Sequence, residues 1–312
     1  MAEQYFVGVG AANIDISGQS RQAIILHDSN PGQMVTSCGG VTRNVCENLA
    51  RLGADVRLIT ALGTDIFAEK IRRESSAAGI DLSHSYVVQD HASSCYVNLL
   101  DDQGDMLIAM SDMSVLRELP PSWLEEKEEL IRGARFVTCD PALSSRTLET
   151  LLDLCEGYVP VCVDPVSCAY AQAVRPYIGR FHTAKPNKLE LEILSGREIR
   201  SRDDLLDACR TVLDQGLQRI IVSLGEDGCL YMDREGRVMH RKLRTVSKMA
   251  NATGGGDAFM AALLYFSASE LPLERMLDNA MAAGIAAVTC RQTINPEMSP
   301  ELLKTILKEY QL

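Results

Sequence analysis

The 312-residue chain has no C-x-x-C pair, no H-x-x-x-H spacing, no internal repeat and no low-complexity tract. Nor has it an apolar run near the ~20 residues that a membrane-spanning helix needs. Each absence excludes something. The ten cysteines, from Cys38 to Cys290, sit mostly in apolar runs such as Val161-Cys162-Val163. They read as buried, reduced thiols rather than as a disulfide or zinc framework. The five histidines are scattered and form no metal-ligand pattern. Positive charge is also in short supply: 31 Lys and Arg stand against 42 Asp and Glu, for a net charge of −11. Such a field repels polyanions, so RNA and DNA are not expected partners. Met1-Ala2-Glu3-Gln4-Tyr5 places no basic segment ahead of an apolar one, so no secretory leader is expected. A soluble, cytoplasmic protein follows as the expectation, with no membrane partner.

What is present is ordinary globular composition, 46% hydrophobic and 23% charged. A chain this long buries a sizeable core without covalent staples. The pattern predicts a strand at residues 5–9 and a polar stretch at 17–37 with a turn at Asn30-Pro31-Gly32. A helix over 41–52, a strand over 56–62 and a helix over 65–78 follow. Residues 94–100 and 106–110 then alternate as the arms of an antiparallel hairpin around the turn at 101–105. Beyond it come strand 135–139, helix 144–156, strands 159–163 and 181–184, helices 187–195 and 202–215, and strand 219–224. Short strands at 229–232 and 237–243 precede helices from 254, over 273–290 and over 299–310. Strands alternating with helices predict an α/β fold with a doubly wound, mostly parallel sheet covered on both faces. The hairpin and the 17–37 segment are expected to pair into a small β lid, from about 14–36 and 93–113, on a single domain spanning 1–312. An exposed lid edge invites pairing, so a homodimer through the lid is a further expectation.

Gly254-Gly255-Gly256-Asp257 opens an apolar helix. Without Cβ atoms, backbone N–H groups can converge on an anion at a helix N-terminus, where the macrodipole favours negative charge. Asp257 beside that cradle is placed to take a proton from a substrate hydroxyl. The alternative is a flexible turn capped by Asp, but a cap needs one glycine at most. Gly8-Val9-Gly10-Ala11-Ala12-Asn13 imitates a dinucleotide-binding turn, yet Asn13 replaces the last glycine and 14–17 is not helix-like. Asn13 and Asp15 instead stand where open α/β sheets bind ligands, two apart in an extended segment that can grip vicinal hydroxyls. Gly39-Gly40 opens the helix that carries Asn44; it is either a tight turn or a bare surface for a substrate ring. Asn187 and Glu190 share one helix face as a cap or as oxygen ligands that hold Mg²⁺ through water. Ser223-Leu224-Gly225-Glu226-Asp227-Gly228 is a hairpin loop or the rim of a nucleotide site. Tyr96 and Asn98 share a face of the hairpin, and Asp112 follows its return arm; both are solvated polarity or substrate contacts.

In chain order and spacing these pieces resemble the ribokinase, or PfkB, family of carbohydrate and nucleoside kinases, over essentially the whole chain. The resemblance implies ATP- and Mg²⁺-dependent phosphoryl transfer to a hydroxymethyl group. Asp257 would be the base, Gly254, Gly255 and Gly256 the anion hole, and Glu190 with Asn187 the metal–water network. Asn13, Asp15, Gly40 and Asn44 would hold the sugar, and Asn187, Ser223, Gly225, Gly228 and Asn279 would lie by the nucleotide. Segments such as Asp28-Ser29-Asn30-Pro31-Gly32, Ser111-Asp112-Met113 and Lys185-Pro186-Asn187 are most similar to members that phosphorylate the 5′-hydroxyl of pseudouridine. On that basis Ser29, Asn98 and Asp112 are expected at the uracil ring. A kinase for another nucleoside or a free sugar, and a silent ligand-binding regulator, remain the alternatives. Two departures stand out: Gly255 replaces a small residue such as Ala, and Asn251 stands where cation-binding ribokinases carry Asp. The second weakens the case for a monovalent cation.

Overall fold

The structure, a computed structural model, describes residues 4–243, 253–269 and 271–312. Asn251 lies outside the described residues.

Along the chain, β1 (Tyr5–Val9), β2 (Asn13–Ser20) and β3 (Gly32–Gly39) lead into α1 (Val41–Arg51). Then come β4 (Asp55–Ile59), β5 (Ala61–Leu62), α2 (Ile66–Ala77), β6 (Ile80–Asp81), β7 (Tyr86–Val87), β8 (Cys95–Leu100) and β9 (Met106–Asp112). Three short helices, α3 (Ser114–Arg117), α4 (Pro121–Glu125) and α5 (Glu128–Arg132), precede β10 (Phe136–Cys139), α6 (Ser145–Cys155), β11 (Val161–Val163) and α7 (Cys168–Val174). The remainder is β12 (Thr183–Ala184), α8 (Lys188–Ser195), α9 (Arg202–Leu213), β13 (Arg219–Ser223), β14 (Cys229–Asp233), β15 (Val238–Arg241), α10 (Gly255–Ser267), α11 (Leu273–Val288) and α12 (Pro300–Glu309).

Nine strands form the main sheet in the order β15-β14-β13-β12-β11-β10-β1-β4-β6. All pairings from β13 through β6 are parallel, and β14 and β15 extend the sheet antiparallel. Its strands are apolar on both faces because each face carries a helical layer. Val7, Val137, Val161 and Ile220 point into one core with Leu151, Leu194 and Val212. Their neighbours Phe6, Phe136, Cys162 and Ile221 point into the other, with Leu49, Leu263 and Ala283. Seven of the ten cysteines are buried and all are free.

Four other strands form a second sheet in the order β3-β2-β8-β9. Here β2 and β3, and β8 and β9, are antiparallel hairpins, while β2 and β8 join in parallel.

Two expectations change. A helix, α7, and a 3₁₀ turn (Arg175–Arg180) fill the gap between β11 and β12; a parallel pair needs such a crossover. The helix is short and Pro176 interrupts the run behind it, so its periodicity is weak, although Ser167 caps it through Tyr170 N–H. The expected strand at 56–62 breaks at Thr60, whose C=O receives Tyr86 N–H at 2.8 Å; the last two residues, β5, pair with β7 instead.

Candidate active site

The carboxyl ends of the parallel strands carry most of the polar residues of interest, where an open α/β sheet presents its ligand crevice. Gly10 follows β1, Asp140 follows β10, Asp164 follows β11, Lys185 follows β12, and β13 ends at Ser223. The glycine run reaches the same edge, with Gly256 beside Lys185.

Gly254 caps α10 with φ 81°. A Cβ there would overlap the Thr293 carbonyl, so the position requires glycine. The first intrahelical bond runs from Ala258 N–H to Gly254 C=O at 3.0 Å. The amides of Gly255, Gly256 and Asp257 are therefore not consumed by the helix. Gly40, with φ 97°, opens α1 in the same manner, pressed against the Ala11 carbonyl.

The two glycine motifs meet through side chains. Asn44 Nδ2 donates to Asp257 Oδ2 at 2.9 Å, across 213 residues of sequence. Asp257 is half-buried. Burial and then the Asp164 carboxylate push its pKa up to about 7, against the Asn44 hydrogen bond and the Lys185 ammonium. Lys185 Nζ lies 2.8 Å from Asp164 Oδ2 in a buried pair, and 3.3 Å from where a Cβ on Gly256 would stand. Burial alone draws the Lys185 pKa down; the carboxylates of Asp164, Glu190 and Asp257 outweigh it, and the net shift is upward. Asp140 braces the neighbouring loop. It accepts from Ala11 N–H at 2.7 Å, Thr42 Oγ1 at 2.7 Å and Ala142 N–H at 3.0 Å. Burial still raises its pKa.

Asn187 and Glu190 form a reciprocal capping box. Asn187 Oδ1 accepts from Glu190 N–H and Glu190 Oε2 from Asn187 N–H, each at 2.9 Å. The cap occupies the single amide oxygen of Asn187 and one of the two carboxylate oxygens of Glu190. Glu190 is buried, which raises its pKa, with Asp164 adding to the effect. Asn187 bridges to Ser223 at the end of β13. Gly225 then turns with φ 59° into open space. The carbonyl of Arg241 covers Gly228, and Arg241 pairs with Asp278, the residue before Asn279. Asn279 itself donates to Arg275 C=O at 2.7 Å, so its amide is turned along α11.

On the second sheet, Asn13 Nδ2 donates to Asp15 Oδ1 at 2.6 Å. Burial raises the pKa of Asp15, opposed by Asn13 and Arg43. Register pairs Asp15 with Tyr96 and Ser17 with Asn98, so these side chains share one face. Asn98 Oδ1 is buried with no hydrogen-bond partner.

Two expected residues are not brought to this cluster. Asp112 pairs with Cys95, which pairs with Ile14, so its side chain stands on the opposite face of the sheet. Ser29 lies in the exposed loop beyond the Ser20–Gly32 end of the β2–β3 ribbon. The five-residue step from Asp15 to Ser20 alone spans ~17 Å. The dinucleotide-binding turn is absent as well: after Gly10 the chain enters β2, not a helix. Conversely, Asp140, Asp164 and Lys185 were not among the expected site residues. Their signal was a charged residue directly after an apolar strand, as in Val163-Asp164 and Ala184-Lys185.

Among the described residues no helix is long and apolar enough to cross a membrane. Residues 3–300 match the pfkB family of carbohydrate kinases. The chain is 34% identical over 298 residues to a pseudouridine kinase of Escherichia coli, covering 95% of this chain and 94% of that one. It is 28% identical to a guanosine-inosine kinase of Exiguobacterium acetylicum, covering 96% and 98%. Among solved structures, a candidate sugar kinase from Clostridium perfringens superposes with a TM-score of 0.87 at 31% identity, over 100% of this chain and 96% of that one.

Proposed function

The chain belongs to the pfkB family of carbohydrate kinases, and from that premise we propose that it transfers the γ-phosphoryl group of ATP to the 5′-hydroxyl of pseudouridine. The products are pseudouridine 5′-phosphate and ADP. The observation that carries the chemistry is the Asn44–Asp257 hydrogen bond, which holds a carboxylate beside amides that the helix leaves free. The similarity to a pseudouridine kinase supports the choice of nucleoside.

In this reading Asp257 accepts the 5′-hydroxyl proton as that oxygen attacks the γ-phosphorus in line and ADP departs. A base with a pKa of about 7 is poised for transfer near neutral pH. The amides at Gly254, Gly255 and Gly256 receive charge as it develops on the phosphoryl oxygens, and the Lys185 ammonium beside Gly256 adds to them. Glu190 and Asn187 suit Mg²⁺ held through water, since the Glu190 carboxylate keeps one oxygen, and the single amide oxygen of Asn187 one lone pair, outside the cap. When bound, Mg²⁺ supplies charge neutralisation at the phosphates of ATP. Asn13, Asp15, Gly40 and Asn44 hold the ribose, and Asn98 faces the base from the same side of the sheet. Ser223, Gly225, Gly228 and the neighbourhood of Asn279 form the nucleotide rim. Closure of the second sheet as a lid excludes water from the transfer. Its other face exposes Met34, Leu99, Ile108 and Met110 and is the surface for pairing with a second copy.

An ADP-release assay with pseudouridine, uridine, inosine, adenosine, ribose and hexoses tests the substrate. Pseudouridine is expected to have the highest kcat/KM; preference for uridine or free ribose overturns it. A purine nucleoside is the second reading, supported by the guanosine-inosine kinase relative. Ligand binding without ADP release would mark a regulatory protein instead.

A further inference from the structure

Arg43 is a buried cation that the chemistry above leaves unused. It is 3% exposed and sits in the first turn of α1, where the helix dipole disfavours positive charge. Its guanidinium is nevertheless fully engaged. Nε donates to Ser75 Oγ of α2 at 3.2 Å, and one terminal nitrogen donates to the Cys38 carbonyl and to Asn44 Oδ1, each at 3.4 Å. The other terminal nitrogen pairs with Glu47, which also accepts from Arg51 Nε at 2.8 Å.

The contact with Asn44 decides which end of an amide faces Asp257. An asparagine offers an acceptor on one side and a donor on the other, and a half-turn exchanges them. With Oδ1 toward Arg43, Nδ2 points at Asp257. After a half-turn two oxygens would oppose each other. We propose that Arg43 is a positioning residue, which locks the Asn44 amide in the orientation that donates to Asp257 and ties it, through the Cys38 carbonyl, to the end of β3. This rests on Asp257 being the base.

The charged groups around Asp257 make the amide decisive. Asp164 and, more weakly, Asp140 face it from the ends of β11 and β10 and disfavour its ionised form. Lys185 from the end of β12 favours that form but is already paired with Asp164 and is also drawn on by Glu190 of α8. Among the described residues Asn44 of α1 supplies the other favourable contact, and it is the one that a rotation can reverse.

The test is the pH profile of kcat/KM, with ATP and pseudouridine, for Arg43→Met, Asn44→Ala and the double variant. Arg43→Met is expected to move the acidic limb up by about one unit and to lower turnover at pH 7 about five-fold. In the Asn44→Ala background it is expected to change neither. If Arg43→Met does not fold, Arg43→Met/Glu47→Leu removes both charges of the pair and carries the same expectation. A lower melting temperature with an unmoved pH profile overturns the proposal, as does an undiminished effect in the Asn44→Ala background. Normal turnover in Asp257→Asn would instead remove the base assignment, whatever Arg43 does.

Discussion

Replacing Lys185 by methionine takes one charge from a pair whose side chains are 5% and 9% exposed and 2.8 Å apart. Asp164 is then left as a buried carboxylate with Asp257 and Glu190 for neighbours. Breaking a buried pair from one side costs about 3–5 kcal/mol. At ~2.1 cal/mol/K of unfolding entropy per residue, 312 residues give about 0.65 kcal/mol/K, so the melting temperature should fall by about 5–8 °C. Asp164→Leu/Lys185→Met removes both charges, and its stability should return to within about 1 kcal/mol of wild type, or ~2 °C. Turnover should not return with it. The ammonium stands 3.3 Å from the Cβ position of Gly256, beside the amides proposed to take the phosphoryl charge. Loss of such a group costs ~10²–10³ in kcat. Differential scanning fluorimetry and an ADP-release assay at saturating ATP read the two effects separately. A double variant as unstable as Lys185→Met would refute the mutual compensation. One that turns over within about three-fold of wild type would refute the role in transfer.

Other tests follow from the same cleft. Because Asp257 is raised to about 7, its ionisation works against the folded state as pH climbs from the ordinary carboxylate range to about 7. Asp257→Asn should therefore match wild type in melting temperature near pH 4 and exceed it at pH 8, while losing turnover; equal melting temperatures at pH 8 would contradict the shift. Gly254→Ala forces a Cβ into the Thr293 carbonyl at φ 81°. It should lower both the melting temperature and kcat, the latter at least ~10-fold as the cradle shifts. Gly255→Ala crowds a Val288 methyl at 2.8 Å, which can move aside, and meets the Gly284 carbonyl at an ordinary 3.6 Å, so its effects should be smaller. Met110→Glu places a charge on the exposed apolar face of the second sheet, where Met110 is 73% exposed. Light scattering after size exclusion should show a dimer in wild type and a monomer in the variant; identical masses would remove that face as the pairing surface.

The signals legible in the chain before folding were local. The alternation of apolar strands and helices implied a doubly wound sheet. Asn187 and Glu190 at i and i+3 announced a cap, and Gly254-Gly255-Gly256-Asp257 announced a helix start with free amides. Each signal lies within a few residues, because propensity and capping act over one turn of backbone. Which of these distant pieces meet depends on how the elements pack in three dimensions. Strand order sets Lys185 against Asp164, since β11 and β12 are neighbours in the sheet. The packing of α1 and α10 over one face sets Asn44 against Asp257. Register turned Asp112 to the far side of its sheet, because a single-residue step reverses the face of a strand and nothing in a lone hairpin sequence says which face is covered. The length of the β2–β3 ribbon carried Ser29 away from the cluster. The glycine run and its aspartate were therefore legible as a motif, whereas the pKa of about 7 was not. That value arises from burial and from a carboxylate 93 residues away in the chain, which the fold alone brings close.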